Sequence, residues 1–182
     1  MYKRQAIARK LAEQGATTIA TYVGNEKGAM ELVQSIQDKG GIARAVQMDQ
    51  RSPESVNLWI ENVRKTEGSL DILINNAAWN IGIPFPQLDA LTPEIWDRVL
   101  ETNVRGPFLL ARAGEEMLKA GLGGHIVNIS SAGGISPGSS SIAYSSSKAA
   151  LNHLTRCLAV AMAPKVSVNC IAPGLVENTR MA

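Results

Sequence analysis

The chain has 182 residues, of which 45% are hydrophobic and 19% charged, with a formal net charge of +2. This composition excludes an intrinsically disordered chain, and the length suffices to bury a core without disulfides or a structural metal. No apolar run reaches the roughly 18 residues that span a bilayer, and the dispersed charge gives no electrostatic footprint for nucleic acid. We therefore expect a globular chain with neither a membrane nor a nucleic-acid partner.

The first half of the sequence alternates helical and strand-like patterns. Helices are predicted over residues 5–14, 26–39 and 53–65, and strands over residues 17–22, 42–48 and 70–74. Gly15 stops the first helix, and Ser52-Pro53 begins the third with a capping side chain and a first-turn proline. The apolar period predicts that a core is formed by Ala6, Ile7, Leu11, Ala12, Met30, Val33 and Ile36.

The second half continues the same alternation. Thr92-Pro93 begins a long helical pattern to Lys119 with a bend expected at Gly106-Pro107. A strand follows over residues 125–129, a helix over 143–163 with Leu151, Leu154, Leu158 and Ala161 inward, and a last strand over 166–171. Strands separated by such helices predict an α/β fold, with a doubly wound parallel sheet in a single domain over residues 1–182.

The two cysteines, Cys157 and Cys170, lie in apolar sequence without a Cys-x-x-Cys spacing. His125 and His153 are the only histidines that could join them as ligands. We expect buried structural thiols in a reducing compartment, hence a cytoplasmic protein, and no metal site.

Polar and small residues follow the predicted strands at their carboxyl ends, where ligands of parallel sheets bind. Asn75-Asn76-Ala77-Ala78 follows the third strand. Its carboxamides could tie strand ends together while the alanines admit a flat ligand, or the segment could be an ordinary Asn-rich turn. Both interpretations stay open for this motif alone.

Tyr144 and Lys148 are one helical turn apart on the same face, thirteen residues beyond Ser131. A tyrosine titrates near pH ~10, and a nearby ammonium favours its anion. The pair therefore suits proton transfer to or from an alcohol or carbonyl oxygen.

The combined motifs resemble those of the classical short-chain dehydrogenase/reductase family, from about Ala6 to Met181. The order and spacing that carry the resemblance are those of Asn75-Asn76-Ala77-Ala78, Asn103, Ile129-Ser130-Ser131, Tyr144-x-x-x-Lys148 and Pro173-Gly174. It implies a Rossmann-like fold and a nicotinamide-dependent oxidoreductase acting on a secondary alcohol or ketone.

The resemblance also implies the role of each catalytic residue. Tyr144 would be the general acid/base, and Ser131 would polarise the same substrate oxygen. Lys148 would lower the pKa of the tyrosine and hold the nicotinamide ribose, and Asn103 would support a water chain from the lysine.

The implied cofactor-binding residues, besides Tyr144 and Lys148, are Asp49, Asn76, Ala77, Pro173, Gly174, Val176 and Thr179. Asp49 would lie beside the adenine, or would instead cap the turn before Ser52-Pro53. Glu177-Asn178 place Thr179 one residue later than the common pattern. Thr21-Tyr22 offers no acidic side chain to a ribose, so the cofactor is NADP or NAD with a lean to NADP.

The two ends depart from the family pattern. Tyr2, Lys3 and Arg4 stand where the Gly-x-Gly of the phosphate-binding turn would be, so residues 1–5 are expected to be a non-native junction. The first strand with its glycine-rich turn, the substrate-covering helix and the C-terminal strand are expected to be missing. Without the first strand, its two neighbours would expose unpaired edges.

Two functions follow as hypotheses. The first is the oxidoreductase described above, whose full-length form would be a homo-oligomer, a dimer or tetramer, with a small alcohol or carbonyl substrate. The second is a non-catalytic truncated chain that binds no cofactor and acts at most through subunit association. A serine hydrolase is disfavoured because Ser131 lies in no Gly-x-Ser-x-Gly turn.

Overall fold

A computed structural model describes residues 3–176. Its contacts group these residues into two compact units, residues 3–49 with 175–176 and residues 50–174. The α/β class with parallel strands is confirmed in both. The single domain over residues 1–182 stays a prediction.

The first unit is built from two helices and two strands. Their bounds are α1 Lys3–Glu13, β1 Thr18–Tyr22, α2 Glu26–Gln37 and β2 Ala43–Gln47. The strands pair in parallel from Thr18 opposite Ala43 to Tyr22 opposite Gln47. Its core consists of Ala8, Ala12, Leu32, Val33, Ile36 and Ala43.

Four residues expected in this core lie outside it. Met30 is 53% exposed and Ala6 is also exposed, whereas Ile7 and Leu11 are half-buried. Ala12, Val33 and Ile36 are buried as expected, and Ala8 and Leu32 join them, so the helical period was right but the edges of the buried stripe were not.

The second unit places helices around a three-stranded parallel sheet of order β3-β4-β5. Its elements are α3 Pro53–Glu67, β3 Ile72–Asn75, α4 Pro93–Leu100, a π-helical turn Glu101–Arg105, α5 Gly106–Lys119, β4 Gly124–Ile129, α6 Ile142–Met162 and β5 Val166–Ile171. Two short 3₁₀ helices cover Leu88–Ala90 and Ala132–Gly134. No helix among residues 3–176 is both long and apolar enough to cross a membrane.

Side-chain caps set the starts of these helices as the sequence indicates. Ser52 Oγ accepts from the Ser55 N–H at 3.1 Å at the start of α3, and Thr92 caps α4. Gly68 ends α3 with φ of 74°, a left-handed conformation that glycine adopts without steric cost. The expected bend at Gly106-Pro107 takes the form of the π-helical turn just before Gly106.

Within the described residues, β1 pairs only with β2, and β3 pairs only with β4. β1 and β3 therefore each have one edge without a hydrogen-bonded neighbouring strand among the described residues. In the second unit β4 is the central strand, and its register aligns Asn128 with Asn75 on one side and Cys170 on the other. The carboxyl ends of the three strands thus lie at one edge of this sheet.

The prediction of two buried thiols is wrong for Cys157, which is exposed on α6. Cys170 is half-buried in β5 and its Sγ lies 3.3 Å from Asn152 Oδ1. The inward face of α6 also differs, since Ala161 is exposed and Thr155 and Met162 are buried.

Candidate active site

The buried amide and hydroxyl groups of three elements join β3 and β4 to α6. Asn75 Nδ2 donates to Asn128 Oδ1 at 2.8 Å, and Asn128 Nδ2 donates to Thr155 Oγ1 at 2.9 Å. Thr155 Oγ1 in turn donates to Leu151 O at 2.8 Å. Because such groups are costly to bury unpaired, this ladder fixes α6 against the ends of both strands.

Ser141 fixes the first turn of α6. Its hydroxyl, fully buried, accepts from the Tyr144 N–H at 3.2 Å as the N-cap of the helix. Tyr144 therefore lies in the first turn, where the cap defines its backbone position.

Tyr144 and Ser131 form a hydroxyl pair at the centre of the site. Tyr144 is only 5% exposed, and the Ser131 side chain near it is half-buried. Burial raises the pKa of the Tyr144 phenol above its ordinary value, and interaction with the Ser131 hydroxyl opposes this by a smaller amount. The net direction is upward, so this chain by itself keeps the phenol protonated at neutral pH.

Lys148 is almost fully buried beside this pair. Its Nζ donates to Ile129 O at 2.8 Å and lies 5.6 Å from the centre of the Tyr144 ring. Ser130 Oγ donates to Lys148 O at 3.1 Å, so the loop after β4 holds both ends of the lysine. Gly134 lies so close to α6 that an added Cβ would come within 2.6 Å of the Lys148 carbonyl carbon.

Asn103 presents its carboxamide from the π-helical turn and is 1% exposed. Its Oδ1 accepts from Trp79 N at 2.8 Å, and its Nδ2 donates to Trp79 O and Ser147 Oγ, both at 3.0 Å. Ser147 Oγ donates to Tyr144 O at 2.7 Å. Asn103 is therefore joined to the Tyr144 turn through Ser147, a residue that the sequence analysis did not single out.

The loops after β4 and β5 are held together by backbone bonds. Ser130 N donates to Ile171 O at 2.7 Å, and Ala132 N donates to Pro173 O at 2.8 Å. On the other side of the sheet, exposed Ala77 and Ala78 follow β3 and half-buried Asn76 donates its N–H to Ile74 O.

The structure thus gathers most of the predicted site residues within the second unit. Linked there by direct contacts or by loops at one sheet edge are Asn76, Ala77, Asn103, Ser131, Tyr144, Lys148, Pro173 and Gly174. Asp49 and Val176 belong to the first unit, so their part in the site stays a prediction. Thr179 lies outside the described residues.

Ser139 and Ser141, in the segment just before Tyr144, are held by internal hydrogen bonds. Ser141 is buried as the cap of α6, and Ser139 Oγ bonds with Ser145 Oγ at 2.6 Å. In the loop from Trp79, Ile83 is buried and its N–H donates to Ser140 O at 2.8 Å. Ile83 is therefore packed into the protein and does not face a substrate.

The residues at this sheet edge fit the nicotinamide end of a dinucleotide. Small exposed side chains at Ala77 and Ala78 leave room for a flat group. A lysine ammonium offers up to three donors, of the kind that ribose hydroxyls accept.

Comparison with known proteins places this arrangement in a family. Residues 5–182 match the family described as short chain dehydrogenase. The chain is 36% identical over 175 residues to 3beta-hydroxysteroid dehydrogenase 1 of Eggerthella lenta, covering 95% of this chain and 66% of that protein. It is 36% identical over 180 residues to a 3-oxoacyl-(acyl-carrier-protein) reductase of Aquifex aeolicus, covering 98% of this chain and 71% of the reductase.

A solved structure agrees with the sequence relatives. A metagenomic short-chain oxidoreductase in complex with NADP superimposes with a TM-score of 0.86 at 33% identity, covering 94% of this chain and 76% of that chain. The present chain therefore spans about two thirds to three quarters of the length of these proteins. With the family match over residues 5–182 and these relatives, the chain belongs to the short-chain dehydrogenase family.

Proposed function

We propose that this chain carries the catalytic centre of an NAD(P)(H)-dependent oxidoreductase that interconverts a secondary alcohol and a ketone. The observation that carries the proposal is the buried Tyr144 phenol with the half-buried Ser131 hydroxyl and the buried Lys148 amine beside it. Membership of the short-chain dehydrogenase family and the NADP-bound structural relative support it.

In this proposal Tyr144 moves the proton. Its neutral phenol donates to the carbonyl oxygen when a ketone is reduced and takes the proton back when an alcohol is oxidised. Ser131 hydrogen-bonds the same oxygen and stabilises the charge that develops there. A bound nicotinamide dinucleotide would supply or accept the hydride at the substrate carbon.

Lys148 and Asn103 would support that transfer. The Lys148 ammonium stabilises the phenolate that remains after the proton has left Tyr144. Lys148 would also hold the nicotinamide ribose, and Asn103 would support a water chain from the lysine. The bonds from Asn103 to Trp79 and Ser147 keep the carboxamide in one orientation for that role.

The remaining cofactor contacts are proposed at the neighbouring loops and in the first unit. They would come from Asp49, Asn76, Ala77, Pro173, Gly174, Val176 and Thr179. The absence of an acidic side chain at Thr21-Tyr22 and the NADP in the related structure favour NADP over NAD.

The alternative is a chain that binds no cofactor and acts through association of subunits. Phe108 on α5 is 41% exposed and Val160 on α6 is 82% exposed, and a second copy of the chain that bound α5 and α6 could cover them. Titration with NADPH and NADH, followed by nicotinamide fluorescence, separates the two proposals. A folded sample that binds neither at millimolar concentration would contradict the oxidoreductase.

The proton-transfer role is tested by Tyr144→Phe. Turnover should fall by a factor of roughly 100 to 10,000 while the Kd for NADPH stays close to that of the parent. The relatives suggest trial substrates, namely a 3-oxoacyl thioester and a 3beta-hydroxysteroid. Unchanged turnover of either in the phenylalanine variant would remove Tyr144 from the mechanism.

A further inference from the structure

The π-helical turn between α4 and α5 contains a backbone carbonyl that has neither an α-helical nor a π-helical donor. In an α-helix, Thr102 O would accept from the N–H of Gly106, four residues on. Here the Gly106 N–H donates instead to Glu101 O, five residues back. The next residue, Pro107, has no N–H, so neither an α-helical nor a π-helical donor reaches Thr102 O.

The side chain of Gln50 supplies the missing donor. Gln50 is 7% exposed, and its Nε2 lies 2.6 Å from Thr102 O. The same nitrogen lies 3.4 Å from Ala77 O, in the loop proposed to contact the cofactor. A carboxamide NH₂ has two hydrogens, so Nε2 can donate to both carbonyls at once, strongly to Thr102 and weakly to Ala77.

Gly106 is shaped around this side chain. A Cβ at position 106 would come within 2.7 Å of Gln50 Cγ and 3.0 Å of its Nε2. Arg105 adds a second tie to the same segment, because its Nη2 donates to Arg51 O at 3.3 Å. Gln50 and Arg51 are thus fastened to the turn that presents Asn103.

We propose that Gln50 is a positioning residue that fixes the distance between the Ala77 loop and the turn that carries Asn103. It acts through the Thr102 and Ala77 carbonyls and touches neither substrate nor cofactor. The inference rests on the proposed function, because these two segments are the ones assigned to cofactor binding and proton transfer.

The first test compares Gln50→Leu with the parent in the full chain. Leucine nearly fills the same volume but cannot donate, so the partly buried Thr102 O loses the hydrogen bond from Gln50. The KM for NADPH should rise and kcat should fall, each by about tenfold. The control is Gln37→Leu, because Gln37 also donates Nε2 to a carbonyl, Ala43 O at 3.1 Å, but is exposed.

Gln50→Glu gives a readout that a purely structural residue would not move. A protonated carboxyl can donate one hydrogen bond to Thr102 O, whereas an ionised one can only accept. The ratio of kcat/KM for this variant to that of the parent should therefore rise as the pH falls. A ratio independent of pH, with Gln50→Leu kinetics within about twofold of Gln37→Leu, would overturn the inference.

A second pair of variants tests the contact without relying on activity. Gly106→Ala should lower the melting temperature in the parent, because the new Cβ would collide with Gln50 Cγ. In a Gln50→Ala background, which has no Cγ at that position, the same Gly106→Ala change should have little further effect. If the two changes lower the melting temperature additively in the double variant, the absence of a side chain at Gly106 does not serve to accommodate Gln50.

Failure of the proposed function has a different signature. If the parent neither binds NADPH nor turns over either trial substrate, the oxidoreductase proposal falls. Hydrogen exchange then tests, without any activity measurement, whether the Gln50 hydrogen bonds hold the turn. Amides of residues 102–106 should exchange at least about tenfold faster in Gln50→Leu than in the parent, and equal exchange would overturn the tie.

Discussion

Tyr144 has a proton to give at neutral pH, because burial holds the pKa of its phenol above the ordinary value. Reduction of a ketone needs that proton. For ketone reduction, kcat/KM should stay level through neutral pH and fall as the pH rises through the Tyr144 pKa. For alcohol oxidation, kcat/KM should rise over the same range.

Replacing Lys148 by methionine removes a positive charge close to the phenolate and should move both profiles to higher pH. The difference in pH profile between the parent and this variant would measure how far the Lys148 charge stabilises the phenolate. Coincident profiles for the parent and Lys148→Met would contradict the role assigned to the lysine.

The sequence could predict Tyr144 and Lys148 together because their spacing alone places them on one helical face. It could not predict Gln50 or Ser147. The partners of Gln50 lie 27 and 52 residues away, and Ser147 meets Asn103 across 44 residues. Only the packing of separate elements creates those hydrogen bonds.

At the scale of the element, Ser141 does two things as the cap of α6. It satisfies the Tyr144 N–H and thereby fixes where the first turn begins. Ser141→Ala should cost about 0.5–2 kcal/mol of unfolding free energy and also lower kcat. Ser52→Ala removes the equivalent cap of α3 and should cost a similar free energy with kcat unchanged. Equal kinetic losses in the two variants would contradict the link between the cap and Tyr144.

The buried ladder from Asn75 to Thr155 makes a second prediction for the elements. Asn128→Leu takes the acceptor from Asn75 and the donor from Thr155, both buried, and should lower the unfolding free energy by about 2–4 kcal/mol. Asn62→Leu on the exposed face of α3 is the matched control and should stay within about 0.5 kcal/mol of the parent. Chemical denaturation measures both, and equal values would mean that the ladder adds no stability.

Capping motifs explain why the helix starts were predictable and the π-helical turn was not. Ser52-Pro53 and Thr92-Pro93 carry their signal in adjacent residues. The turn at Glu101–Arg105 depends on Pro107 and on a glutamine from a distant loop, so the sequence indicated only a bend nearby. Met30 and Ala161 were misplaced because apolar periodicity fixes a helix but leaves the edge of its buried stripe undetermined.

For the whole molecule, the two units differ in what stabilises them. The first unit has a small core in which half of the residues are alanines: Ala8, Ala12, Leu32, Val33, Ile36 and Ala43. The second unit buries larger side chains, among them Leu118, Ile126 and Leu151. Larger apolar side chains bury more area and contribute more stability.

Amides of β1 and β2 should therefore exchange with solvent faster than those of β4, the central strand of the second unit. Native-state hydrogen exchange checks this directly. Equal protection of β1, β2 and β4 would indicate that the chain unfolds as a single cooperative unit.

The π-helical turn also bears on which changes in chain length α4 and α5 could accept. Such a turn holds one residue more than an α-helical turn, so the buried faces on either side stay aligned despite the additional residue. Deleting one residue elsewhere in either helix would rotate everything beyond it by about 100°. A deletion within residues 101–105 would instead remove the additional residue and preserve that alignment, although Pro107 would still lack the N–H that an α-helix needs there. We expect such a shortened chain to fold and yet to lose turnover, because the helix would no longer present Asn103 from a widened turn.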